Sequence, residues 1–243
     1  RCLMALIWIE WNKEEPLLNV KIFKIQTYSL STIVASVQGA SLFTAFFMIP
    51  LLVQNVYGFN TIVTGLVFLP SALFTGIFMT IAGRQLDRNG PKRIVTIGLL
   101  VTGVSTLMLG MLDLHSPIWI VFVLMMFRGM GLGMSNMPAT TAGLNAVPDK
   151  LISQGSAMNN VLRRMSSSTA IVLISIYFEL RRSRLIADGQ TLQEGSLQAL
   201  NEGFIMVGLL SLLCVPAAIK LKKPVIRSVK KGVSASSAPI KDS

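Results

Sequence analysis

The stretch GRQLDRNGPKR, residues 83–93, decides how this chain is read. It is short, basic and glycine-bounded, with Arg84, Arg88, Lys92 and Arg93 set around a single acid, Asp87. No charged side chain occurs from Ile25 to Gly83 before it, and none from Ile94 to Leu112 after it. Each flank is long enough to cross a hydrocarbon core, which takes about 20 apolar residues in a helix. A basic connector between two such flanks marks a polytopic membrane protein; in a soluble protein it carries little meaning.

Composition agrees. Apolar residues make up 52% of the chain and charged ones only 14%, too few to cover the surface of a soluble domain. Mean hydropathy is +0.62. The net charge of +11 is not gathered on one face, as a nucleic-acid binder requires; it lies in short connectors and in the C-terminal segment. No nucleic-acid partner is expected. Cys2 and Cys214 stand far apart, which indicates neither a disulfide framework nor a zinc site, and no metal or cofactor is expected. The single histidine, His115, neighbours Asp113 in a short polar segment and reads as an interface residue. No nucleophile, base and orienter are spaced for hydrolysis, and no phosphate loop occurs, so neither enzymatic nor ATP-driven chemistry is expected.

The apolar blocks predict an all-α fold of six transmembrane helices. The spans run from about Tyr28 to Gln54, Thr61 to Ala82, Ile94 to Leu112, Ile118 to Asn145, Ala157 to Phe178 and Leu200 to Ile219. Glu179 to Ala199 is expected to be a polar connector. Residues 1–11 read as the end of a truncated transmembrane helix with Trp8 and Trp11 at headgroup level. Residues 12–27 read as a cytoplasmic connector, 28–221 as the bundle and 222–243 as a disordered basic tail. The excess of Lys and Arg places the 83–93 connector and both ends of the bundle in the cytoplasm; Arg181, Arg182 and Arg184 are the minority on the other side. Six spans divide as three plus three, the pattern of an inverted repeat.

A family resemblance rests on particular residues. Gly83, Leu86, Asp87, Arg88, Gly90, Lys92 and Arg93 resemble the G-x-L-x-D-R-x-G-x-[KR]-[KR] signature of the major facilitator superfamily, which joins the second and third helices of a six-helix half. Gly83 is expected to let the helix end turn tightly, and Gly90 to supply a backbone conformation that other residues resist. Asp87 is expected to cap a neighbouring helix or pair with Arg88, so that the segment works as a conformational latch. The Arg128-Gly129-Met130-Gly131-Leu132-Gly133 run resembles the arginine and glycines of a fourth helix. Further on, Pro138, Val147-Pro148, Gly155, Asn159, Asn160 and Arg163 are similar to the fourteen-helix drug:proton antiporter branch, as are Glu15-Pro16 and Ile22-Phe23. The resemblance implies one half of a major facilitator fold, the C-terminal one. It departs after Arg163, where Arg164-Met165-Ser166-Ser167-Ser168-Thr169 replaces a glycine-rich step.

Arg128 reads as the one charge deep inside a span, at a cost of about 2.5–3.5 kcal/mol. It is either a hydrogen-bonded packing residue or a sensor of substrate or proton state. Gln38, Phe46, Asn136, Met137 and Asn160 are the candidate substrate-cavity residues: amides that do not face lipid, among soft apolar side chains suited to bulky amphipathic molecules. No carboxylate falls mid-span, since Asp113, Glu179 and Glu202 lie towards the outer boundary. A proton-carrying acid is then expected in an N-terminal half outside this chain. The expected function is secondary transport in the plasma membrane, as proton-coupled export of drugs or other amphipathic small molecules by alternating access. An uptake facilitator for a polar metabolite and a non-transporting scaffold or sensor are the alternatives. The partners expected are a small-molecule substrate, protons, the lipid bilayer and the N-terminal half.

Overall fold

A computed structural model describes residues 20–221. The readings of residues 1–11, of the first half of the 12–27 connector and of the 222–243 tail fall outside the described residues. Those described form helices and short connections, with no strand among them. A 3-10 turn, Val20–Lys24, leads into α1, Gln26–Pro50. Pro50 has no N–H to offer the carbonyl of Phe46, and the helix widens directly after it into a π-helical turn, Leu51–Val56. The following helices are α2, Thr61–Asn89; α3, Pro91–Leu109; α4, Ile118–Leu144; α5, Ile152–Ala187; α6, Leu192–Leu213; and the short α7, Val215–Ile219. Six of the resulting helical segments are long and apolar enough to cross a membrane.

Two boundaries differ from the sequence reading for local reasons. The stretch from Glu179 is not a connector, because α5 runs on to Ala187 and α6 starts at Leu192. The turn between them is made by Gly189, at φ +94°, and by Thr191, whose hydroxyl accepts from the Glu194 N–H while the Glu194 carboxylate accepts from the Thr191 N–H. This reciprocal cap starts α6 two turns before its apolar run. Asn60 starts α2 in the same way, its side chain accepting from the Val63 N–H at 3.0 Å.

The packing is exchanged between triplets. α2 lies chiefly on α4, and α5 chiefly on α1, whereas chain neighbours α1 and α2, like α4 and α5, scarcely touch. α1 also packs on α4, and α3 on α6. Swapping the first three helices for the last three exchanges α2–α4 with α5–α1 and leaves α1–α4 and α3–α6 in place; α3 in addition packs closely on α4, more closely than α6 does on α1. Because three crossings leave the second triplet starting from the opposite side, the repeat is inverted.

The interior is layered. Met48, Ile49, Leu52, Leu109, Met125, Leu200 and Phe204 build one apolar cluster. Val34, Ile94, Val95, Leu99, Ala139 and Ala218 build another. Between their positions on α1, α3 and α4 lies a buried polar belt of Gln38, Ser41, Thr44, Thr102, Thr106, Arg128 and Ser135. At the basic end the Tyr28 hydroxyl donates to the Gly155 carbonyl at 2.7 Å, tying α1 to the start of α5.

Candidate functional site

The structure corrects the reading of residues 83–93 as a loop. α2 remains helical through Asn89 and α3 begins at Pro91, so a single residue, Gly90, makes the turn. Gly83 therefore does not turn the chain; it lies inside α2, and a Cβ there would meet nothing within 4 Å. Gly90 sits at φ +79° and ψ 171°, a conformation open to glycine and costly to any residue with a Cβ. Its N–H donates to the Leu86 carbonyl at 2.9 Å, closing α2, and Pro91 takes the first position of α3, where no N–H is needed. Asp87 and Arg88 belong to the last turn of α2. Arg88 there meets the negative end of the helix dipole. Lys92 and Arg93, both exposed, occupy the first turn of α3. The segment is thus a hinge between two rods, with its basic side chains splayed into the medium.

Arg128 is 1% exposed. Its Nη2 donates to the Ser41 carbonyl at 2.5 Å and to the Ser41 hydroxyl at 3.0 Å, and its Nε donates to the Thr106 hydroxyl at 3.3 Å. One guanidinium therefore joins α4 to α1 and α3 through neutral acceptors, and no carboxylate among the described residues pairs with it. The glycines after it let the neighbours close in, on alternate sides. A Cβ on Gly129 would strike the Ser71 carbonyl of α2, and one on Gly133 would stand 2.5 Å from the Thr75 carbonyl. Gly131 instead faces α3, against Thr102 and the Gly98 carbonyl.

The candidate cavity residues do not share one wall. Gln38 is fully buried, its Nε2 donating to the Ser135 hydroxyl and its Oε1 left without a partner. It belongs to the polar belt, not to an open surface. Asn136 is half-buried, while Phe46, Met137 and Asn160 are exposed. Two cavities among the described residues lie elsewhere, and none of these residues lines them. One, about 490 Å³, lies between the α3–α4 connection and α6, bordered by Asp113, His115, Glu194 and Asn201; the other, about 360 Å³, is an apolar groove of α3 and α4.

Two arrangements escaped the sequence reading. Arg128 is not the one charge at mid-height, because Arg163 on α5 packs over Gly39: a Cβ on Gly39 would lie 2.8 Å from Arg163 Cγ. The Arg-Arg pair at 163–164, well inside an apolar block, was the available signal. At the other end, Arg181 grips Glu202 through two bonds of 2.8 Å, and Glu202 also accepts from Tyr177 at 2.5 Å and from Gln198 at 3.2 Å. This network joins α5 to α6 near the C-terminal end of α3, where Asn201 donates to the Leu112 carbonyl. Only helix spacing across two segments brings these four side chains together.

Comparison with known proteins gives a consistent family. The Major Facilitator Superfamily profile matches residues 8–171. The chain is 33% identical over 179 residues to the MFS-type transporter YhcA of Bacillus subtilis, covering 74% of this chain and 34% of that protein. It is 30% identical over 222 residues to the MFS-type transporter YcnB of the same organism, covering 91% and 47%. Lincomycin resistance protein LmrB of Listeria monocytogenes is 30% identical over 169 residues, covering 69% and 36%. The chain thus spans between about a third and a half of the length of these relatives. An all-helical bundle of six membrane-length helices in exchanged triplets, a one-residue basic hinge and this likeness together make the chain a member of the Major Facilitator Superfamily.

Proposed function

We propose that this chain is the C-terminal six-helix half of a proton-coupled exporter of drugs or other amphipathic small molecules in a bacterial plasma membrane. The observation that carries the reading is the exchanged packing of the two triplets, which interlocks the six helices. Such a unit rocks against a second one to expose a site alternately on each side of the membrane. Likeness to a lincomycin resistance protein supports export as the direction. The basic hinge faces the cytoplasm in this reading, because Arg84, Arg88, Lys92 and Arg93 gather at one end of the bundle. Within the bundle the belt holds Arg128 and no acid, and Glu202 is engaged by Arg181 and Tyr177. The proton-carrying acid is accordingly assigned to the other half.

The test is flux of a lipophilic dye and of lincomycin in membrane vesicles containing the full-length protein, with and without an imposed proton gradient. Export that collapses with the gradient, and that Asp87→Asn slows, is the expected result. Saturable inward accumulation of one polar solute would mean an uptake facilitator instead. Flux of no solute tested would leave the scaffold reading.

A further inference from the structure

The face of α5 that packs on nothing carries a polar ridge. Asn160, Arg164 and Ser168 follow one another at steps of four residues, so they share one side of the helix, and all three are exposed. Neighbouring Arg163 fixes their height. It packs over Gly39, which stands about 20 Å from the start of an α1 segment about 46 Å long, at 1.5 Å per residue. Arg164 therefore projects from α5 near the middle of the bundle, on the outer side of the helix, with no ion-pair partner among the described residues. An exposed guanidinium at this depth faces a polar cavity or a partner in place of hydrocarbon, and a planar anionic group is the partner its fork of donors matches best. The rest of the mid-height region strengthens that field, because Arg128 and Arg163 add positive charge and no described carboxylate there offsets it.

We infer that Arg164, flanked by Asn160 and Ser168, recognises an anionic group, a carboxylate in the first instance, on the molecule the protein carries. Planar guanidinium and carboxylate match as a two-bond pair, and the Asn160 amide and Ser168 hydroxyl, one turn to either side, supply neutral donors for the same group. The inference deepens the transport reading and rests on it, placing amphipathic anions among the small molecules carried.

The test uses the full-length protein in nanodiscs and two probes of nearly equal shape, pyrenebutyrate and its neutral methyl ester. The expected result is binding of the acid at least tenfold tighter than the ester. Arg164→Gln is expected to abolish that preference, and Arg164→Lys to retain part of it, with helical circular dichroism unchanged in both. Equal affinity for the two probes in the unaltered protein overturns the inference, as does a preference that survives Arg164→Gln. Equal loss of both probes in Arg164→Gln overturns it too, marking a structural pairing of Arg164 with a carboxylate of another helix. Dye flux in vesicles separates the two readings: gradient-driven export without anion preference removes this inference alone, and anion preference without flux removes the transport reading alone.

Discussion

Arg128 and Ser41 meet at the centre of the bundle, with one guanidinium nitrogen bonded to both the carbonyl and the hydroxyl of the serine. The pair fixes α4 against α1 where the two triplets cross. Because its partners are neutral, the arginine's charge is carried at a cost that its hydrogen bonds and packing offset.

Replacing Arg128 separates volume from charge. Arg128→Ala should lower stability by about 2–5 kcal/mol, the usual toll of emptying a core site. Arg128→Met fills most of the space and removes a buried charge, so it should cost less than half as much. Unfolding of the purified protein in mixed detergent micelles, followed by circular dichroism, measures both; an equal loss in the two variants would show that the hydrogen bonds, not the volume, hold the site.

Glycines of α4 and α2 should respond in opposite ways. Gly133→Ala places a methyl group against the backbone of Thr75 and Met79 and should destabilise by about 1–3 kcal/mol. Gly76→Ala on α2 meets open space and should be neutral or stabilising by up to about 1 kcal/mol. The same unfolding assay decides.

The hinge gives a similar contrast over seven residues. Gly90→Ala forces a side chain into a conformation that costs on the order of 1–3 kcal/mol. Gly83→Ala, inside the helix, should cost nothing and add helical propensity. Dye flux by the full-length protein should fall for Gly90→Ala and stay unchanged for Gly83→Ala.

Glu202→Gln should loosen the α5–α6 contact by about 0.2–1 kcal/mol, since both partners are about one-third exposed and water screens the pair. Tyr177 and Gln198 can still bond the amide, so faster hydrogen exchange confined to the start of α6 is the expected readout.

How much of this was legible follows from what each feature depends on. The spans and the glycine hinge are local: charge-free runs and the Gly90-Pro91 step announce them in the sequence. The helix through Gly83–Asn89 was hidden, because basic and glycine residues read as a turn when their actual role is to finish a helix beyond the apolar region. The partner of Gln38 was hidden for a different reason. A lone amide in an apolar run shows that it avoids lipid, and only the packing of α1 on α4 reveals Ser135 as its partner. The depth of Arg164 likewise needed the height of α5 against α1. It could not be taken from position within one apolar block.

The exchange of α2 onto α4 and of α5 onto α1 also sets an order for biosynthesis. When α2 leaves the ribosome its docking surface on α4 has not been made, and α1, which also meets α4, completes its packing only when α5 is threaded. The first three helices must therefore lodge in the membrane, or beside the insertion machinery, as loosely associated segments. They lock only when the second three arrive, so a chain stalled after α3 should be a ready target for membrane proteases.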